Sequence, residues 1–267
     1  MTTDYQGQFG TTADGYQAAR LQDFTYIAVP DGDGTRIAST WRSKKEIEQC
    51  TLADFNSREG NLDAGMLFRT FIDDMALHIN QRIALRRVNG RENRRTPWGL
   101  SDSSTQYAEG LICYGTPSHG GFWLSGERQR EMPKTLGRPS TWYEEDCEWC
   151  KVAIGLPKYF TDKEQAIAEN TLRQWYPALW EAHFKRSLEP GESREKDSQS
   201  FFAAHADDMI AVSATRSKEH PDMTVVWATK GGCRNSDTAT FLVPNTDYSS
   251  NGFGFVIQPH HKPYEGQ

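Results

Sequence analysis

Residues 116–128 read TPSHGGFWLSGER and set His119 between Ser118 and two glycines. An imidazole titrates near neutrality, so a histidine presented on a tight loop suits general acid–base work or ligand capture. Gly120 and Gly121 permit positive φ and close backbone approach. Together with Ser118, their amides could cradle an anion or a small polar ligand. The competing reading is a plain turn in which Ser118 bonds locally. Ser118 and His119 do not form a nucleophile–base pair, because adjacent residues on an extended chain point to opposite sides. No G-x-S-x-G, P-loop, G-x-G-x-x-G or H-E-x-x-H motif is present.

A second cluster lies two dozen residues on, in WYEEDCEW, residues 142–149. TWYE, residues 141–144, has the form of a capping box, which predicts a helix from Thr141 to about Gly155. Glu144 is then the capping acid, and the dipole at a helix start favours Glu145 and Asp146 beside it. On such a helix Tyr143, Cys147, Cys150 and Ile154 share a face, and Asp146 lies next to it, turned partly inward. A buried carboxylate needs a partner, and an imidazole is a natural one. His119 as general acid/base, oriented by Glu145 or Asp146, is therefore one expectation. Gly120 and Gly121 would stabilise charge on a phosphoryl or acyl substrate, with Ser118, Trp142 and Tyr143 lining the site. A satisfied structural hydrogen bond is the other.

The remaining reactive residues point elsewhere. C-x-x-C at Cys147 and Cys150 suits a redox pair or half a zinc site. Well inside a helix and beside acids, however, these thiols lose the dipole effect that would favour thiolate, and no second ligand pair stands at a zinc spacing. The two cysteines are expected to pack in a core. A calcium loop starting at Asp31 would need an acid at Arg42 and is dropped. His260 and His261 sit in a polar tail and are expected to be solvated. No metal or cofactor is expected.

Arg82, Arg86, Arg87, Arg91, Arg94 and Arg95 crowd one stretch. At a helix C-terminus they complement the dipole. Arg86, Arg87, Arg91, Arg94 and Arg95 are also a candidate contact surface for a partner. The formal net charge of −6 over 267 residues counts against nucleic acid as that partner.

The elements that must position these residues follow from periodicity. Residues 1–22 read as a loose arm. FTYIAV and TRIASTW, joined by PDGDG, predict a hairpin. SKKE predicts a short helix from Ser43. A longer helix is expected from Asp63, with Leu67, Phe71, Met75, Ile79 and Ile83 on one face. The polar NGRENRRTP, residues 89–97, marks a boundary between a small α+β unit, 23–95, and a main α+β domain, 96–267. GLICYG and FWL read as strands flanking the His119 turn, and Ser125 as the cap of a short helix that Pro133 ends. TDKE, residues 161–164, predicts another capped helix, with Ile167, Thr171, Leu172 and Trp175, which breaks at Pro177. A helix at SFFAAHA precedes four strand-like runs, MIAVSATR, TVVWATK, ATFLV and FGFVIQ, separated by turn-rich segments. That order predicts an antiparallel meander and an α+β fold.

Five scattered cysteines do not make a disulfide framework. No apolar run is long enough to span a membrane, and the polar start is not a signal peptide. A cytoplasmic protein is expected.

The series TPWG, YGTPSHGGFWLSGER, WYEEDCEW, TLRQWYPALWEAHF, FLVPNTDY and GFGFVI, over residues 96–257, resembles an uncharacterised domain-of-unknown-function family of bacteriophages, plasmids and integrated elements of proteobacteria. The resemblance carries over Ser118, His119, Gly120, Gly121, Trp142, Tyr143, Glu144, Glu145 and Asp146, and it implies a small residue in place of Cys150. By association it implies a mobile-element accessory protein that binds a host macromolecule and so inhibits a defence system. The alternative is an enzyme built on His119.

Overall fold

A computed structural model describes residues 4–137, 139–234, 236–249 and 252–265. Met1–Thr3 of the expected arm and Ser250–Asn251 of the last turn lie outside them. The fold is α+β, and the chain divides into two compact units, residues 1–170 and 171–267. The division falls inside a helix.

The first unit holds two five-stranded antiparallel sheets. One runs in sequence order through β1 (Gln8–Thr11), β2 (Gln17–Leu21), β3 (Phe24–Asp31), β4 (Gly34–Trp41) and β5 (Ser57–Asn61). The expected β3–β4 hairpin is present. Asp31 pairs with Gly34 across a two-residue loop whose Gly32 has φ +60°, a value that glycine adopts without Cβ strain. Residues 8–21 are no loose arm. Their alternation places Ala19 and Leu21 in the core, and both strands are laddered.

Helix α1 (Phe68–Ala84) packs on this sheet. Its buried stripe is Phe68, Ile72 and Ala76, set against Ala19, Leu21, Tyr26 and Ile37. That stripe is rotated by one residue from the expected face. Leu67 and Ile83 stand exposed, while Phe71, Met75 and Ile79 pack at the edge. The SKKE segment does not open a helix at Ser43, because a single 3-10 turn begins only at Ile47.

The second sheet has the order β12-β11-β10-β9-β6, formed by β6 (Val88–Gly90), β9 (Ser103–Ala108), β10 (Leu111–Gly115), β11 (Gly120–Leu124) and β12 (Trp142–Glu144). A small ribbon of β7 (Arg95–Thr96) and β8 (Gly99–Leu100) precedes it. Ser125 caps α2 (Gly126–Glu131) as expected, accepting from the Arg128 amide. The TWYE prediction fails. Trp142–Glu144 is an edge strand paired with β11, and helix α3 (Trp149–Gly155) starts five residues later. The pattern favours the helix, but the exposed edge of β11 offers a ladder that burial of Tyr143 rewards.

The capping box at Thr161 is present in both directions. The Thr161 amide donates to Glu164 Oε2 at 2.8 Å, and the Glu164 amide donates to Thr161 Oγ1 at 3.1 Å. It opens α4 (Asp162–Trp175), whose buried residues include Ala168 and Leu172, while Ile167 and Trp175 are exposed.

The second unit contains α5 (Pro177–Phe184), α6 (Arg194–Ala204) and a four-stranded antiparallel sheet in sequence order: β13 (Met209–Arg216), β14 (Met223–Lys230), β15 (Thr238–Pro244) and β16 (Lys262–Pro263). The first three strands fall where expected. The fourth is the short Lys262–Pro263, and the FGFVIQ run instead lies along the outer edge of β13. There Val256 bridges Ile210, and Ala211 donates to the Phe255 carbonyl. His261 is buried, not solvated. It stacks on Phe255, and its Nδ1 accepts from the Gln258 amide at 3.0 Å.

Candidate functional site

The second sheet brings the two halves of the sequence motif together. In a strand, alternate side chains share a face, and paired residues on neighbouring strands share it too. Gly121 pairs with Glu144 and Tyr114, and Trp123 pairs with Trp142. One face therefore carries Tyr114, Trp142 and Glu144, together with His119 at the head of β11. Phe122 and Tyr143 project to the other face, into the core.

His119 is 28 % exposed, and its Nε2 lies 2.8 Å from Glu144 Oε1. Its Nδ1 faces Glu145 Oε1 at 3.6 Å and Asp146 Oδ2 at 4.0 Å. The partner is thus Glu144, the acid expected from the TWYE pattern to cap a helix. Glu145 and Asp146 stand beyond hydrogen-bond reach, and Asp146, at 75 % exposed, does not turn inward. A strand reading of WYE would have found Glu144, since period two puts it on the face of Trp142 and opposite Tyr143.

Glu144 is held from behind. It accepts the Asp146 amide at 2.5 Å and the Cys147 amide at 2.9 Å. Burial pushes its carboxyl pKa up, but those amides and the charge of His119 outweigh it, so the group sits below the usual carboxylate range.

The loop is locked by Thr116. Its hydroxyl donates to the His119 carbonyl at 2.6 Å and accepts the His119 amide at 3.1 Å. Ser118, expected to do this, lies exposed at the tip. Gly120 and Gly121 belong to β11, and neither has positive φ. Their glycine character has a packing cause. A Cβ on Gly120 would sit 2.5 Å from Glu145 Oε2 and 2.6 Å from the Tyr114 carbonyl, and one on Gly121 would enter the Trp98 ring. Trp98 fills the space that Gly121 leaves. It meets His119 edge-on at 5.7 Å and Trp142 edge-on at 5.8 Å. Tyr143 is fully buried, with its hydroxyl donating to Gln129 Oε1 at 3.1 Å, so it lines no ligand site.

The arginines divide. Arg94 packs over Trp123 at 4.2 Å and Trp142 at 5.7 Å, and donates to Tyr114 Oη, which braces the face from its side. Arg87 is 10 % exposed and grips Glu164 through both Nη atoms, at 2.7 and 2.6 Å. These two serve the fold, whereas Arg86, Arg91 and Arg95 remain exposed.

Three of the thiols are held protonated by their environment. Burial pushes Cys150 and Cys113 up to about 12, and burial followed by the neighbouring carboxylates raises Cys147. Among the described residues, two groups of three side chains have metal-ligand atoms close together. These are His119 with Glu144 and Asp146, and Asp247 with His260 and His261. In the second group His261 Nδ1 accepts an amide proton, so the neutral ring carries its proton on Nε2, the atom that a metal would need.

Fold and site together define an α+β protein with a histidine–carboxylate cluster on a sheet face walled by indoles. Residues 91–206 match the model of a family described as a domain of unknown function (DUF7007), and both halves of the site lie within the match. No curated protein and no solved structure matches the chain.

No helix among the described residues is long and apolar enough to cross a membrane.

Proposed function

We propose that the protein is an accessory factor of a phage or mobile element that binds a host macromolecule, and that the His119 face makes the contact. The observation that supports this is the face itself. Three carboxylates surround one imidazole beside Trp98 and Trp142, and Glu145 and Asp146 are 43 % and 75 % exposed. Clustered carboxylates next to aromatic rings recognise a cationic group such as a lysine or arginine side chain. The mobile-element and anti-defence context comes from the sequence resemblance alone. The test is capture from host lysate by wild type, Glu145→Lys/Asp146→Lys, Arg91→Glu and His119→Gln. Loss of the captured partner in the acid double variant, with retention in Arg91→Glu, is expected. An unchanged partner in the double variant overturns the reading.

One observation favours a second reading, catalysis. When the neutral ring donates Nε2–H to Glu144, Nδ1 is left as a lone pair oriented by a carboxylate, the arrangement of a general base. The adjacent acids repel phosphoryl groups, so the substrate would be neutral or cationic. Turnover of such a substrate that His119→Gln abolishes would establish this reading in place of the first.

A further inference from the structure

The arginine-rich end of α1 borders a polar cavity of about 560 Å³, separate from the His119 face. Ile79, Arg82 and Ile83 of α1 line one side of it, and Asn89, Thr105 and Tyr107 of the second sheet line another. Its volume falls in the range of small-molecule sites. Two cations and one acid reach it. The acid, Glu164, already accepts from both Nη atoms of Arg87 and from the Thr161 amide, so its charge is met. Arg82 forms no ion pair among the described residues and is solvent-exposed.

Arg87 holds the second clue. Its side chain is nine-tenths buried, stacks on Tyr107 at 3.8 Å, and uses Nη1 and Nη2 on Glu164 and the Tyr159 carbonyl. Its Nε is buried with no hydrogen-bond partner. Closed to solvent, that atom contacts nothing in the cavity, so what Arg87 brings to the wall is the charge of its guanidinium. Asn89 Oδ1 accepts from the Thr105 hydroxyl at 2.9 Å, which leaves the Asn89 amide nitrogen as a further donor at the wall. The cavity therefore combines one unmatched positive charge, N–H donors and the apolar edges of Ile79 and Ile83.

We propose that this cavity binds a small molecule through an anionic group, a phosphate or a carboxylate, engaged by the exposed Arg82, with Asn89 hydrogen-bonding beside it and the Arg87 guanidinium adding positive charge at the wall. The proposal stands apart from the reading of the His119 face and does not depend on it.

Sodium phosphate and sodium acetate, titrated into the full-length protein at constant ionic strength against sodium chloride, test it by thermal shift. One of the two anions should raise Tm along a saturating curve that chloride does not reproduce, and which anion does so identifies the group. Arg82→Gln should weaken the half-saturating concentration at least tenfold. Asn89→Leu, which keeps the charge, should weaken it several-fold, while Arg91→Gln, outside the cavity, leaves it unchanged. Arg82 is exposed, so its variant folds, and circular dichroism checks this. A rise no greater than with chloride, or equal saturation by Arg82→Gln and wild type, overturns the proposal.

Discussion

Glu144 does two jobs at once. It accepts two amides of its own turn and holds the imidazole of His119. Glu144→Gln keeps the shape but removes the charge and offers an amide where an acceptor is needed. The expected outcome is a large change in the ring nitrogen chemical shifts of His119 relative to wild type, while Asp146→Asn, farther away and exposed, changes them less. Equal shifts in the two variants would show that the hydrogen bond to Glu144 does not dominate. The thiols offer a second check at this scale. Cys233 is exposed, whereas Cys113 and Cys150 are shielded and held protonated to about 12. A thiol reagent at pH 8 should label Cys233 in the native protein and reach Cys113 and Cys150 only in denaturant, with mass spectrometry of the labelled peptides as the readout.

Among the elements, the second sheet shows what single-sequence reasoning reaches and where it stops. β10, β11, the Ser125 cap and the Thr161 capping box were legible because each is set by neighbours within a few residues. The Trp142–Glu144 strand was not. Its sequence satisfies a local capping rule, but its conformation is decided by a partner strand about twenty residues away, and the wrong period hid Glu144. The α1 stripe slipped by one residue for a related reason. Phe71, Met75 and Ile79 do touch the core, yet the sheet receives Phe68, Ile72 and Ala76 more squarely. Trp98 carried no signal, since only the bare Gly121 opposite it makes room for its ring. Gly121→Ala should therefore cost about 3 kcal/mol in denaturant unfolding, an overpacking penalty. It should also perturb Trp98 fluorescence. Gly126→Ala, whose Cβ meets only Arg130 Nη1 at 3.7 Å, should be close to neutral.

Across the whole molecule, one buried pair ties elements far apart in sequence. Glu164 starts α4, and Arg87 follows α1. Burial pushes the Glu164 carboxyl up, but the Arg87 hydrogen bonds, the Thr161 amide and the Arg87 charge hold it below the ordinary value. A carboxyl depressed in the folded state contributes stability that is complete above its unfolded pKa, about 4.3. That stability is lost as pH falls through the lower folded value. Arg87→Met should cost about 3 kcal/mol near neutrality and flatten the fall in stability below pH about 4.3, as measured by urea midpoints across pH.

The same pair also bears on the segment that matches the family. The family match runs from residue 91 to 206, while Arg87 and the β6 strand that closes the second sheet lie just upstream of it. A segment transplanted at residue 91 would arrive with an open β9 flank and a buried glutamate missing its guanidinium. A protein carrying residues 91–206 alone would therefore need a closing strand and an arginine supplied from outside that segment.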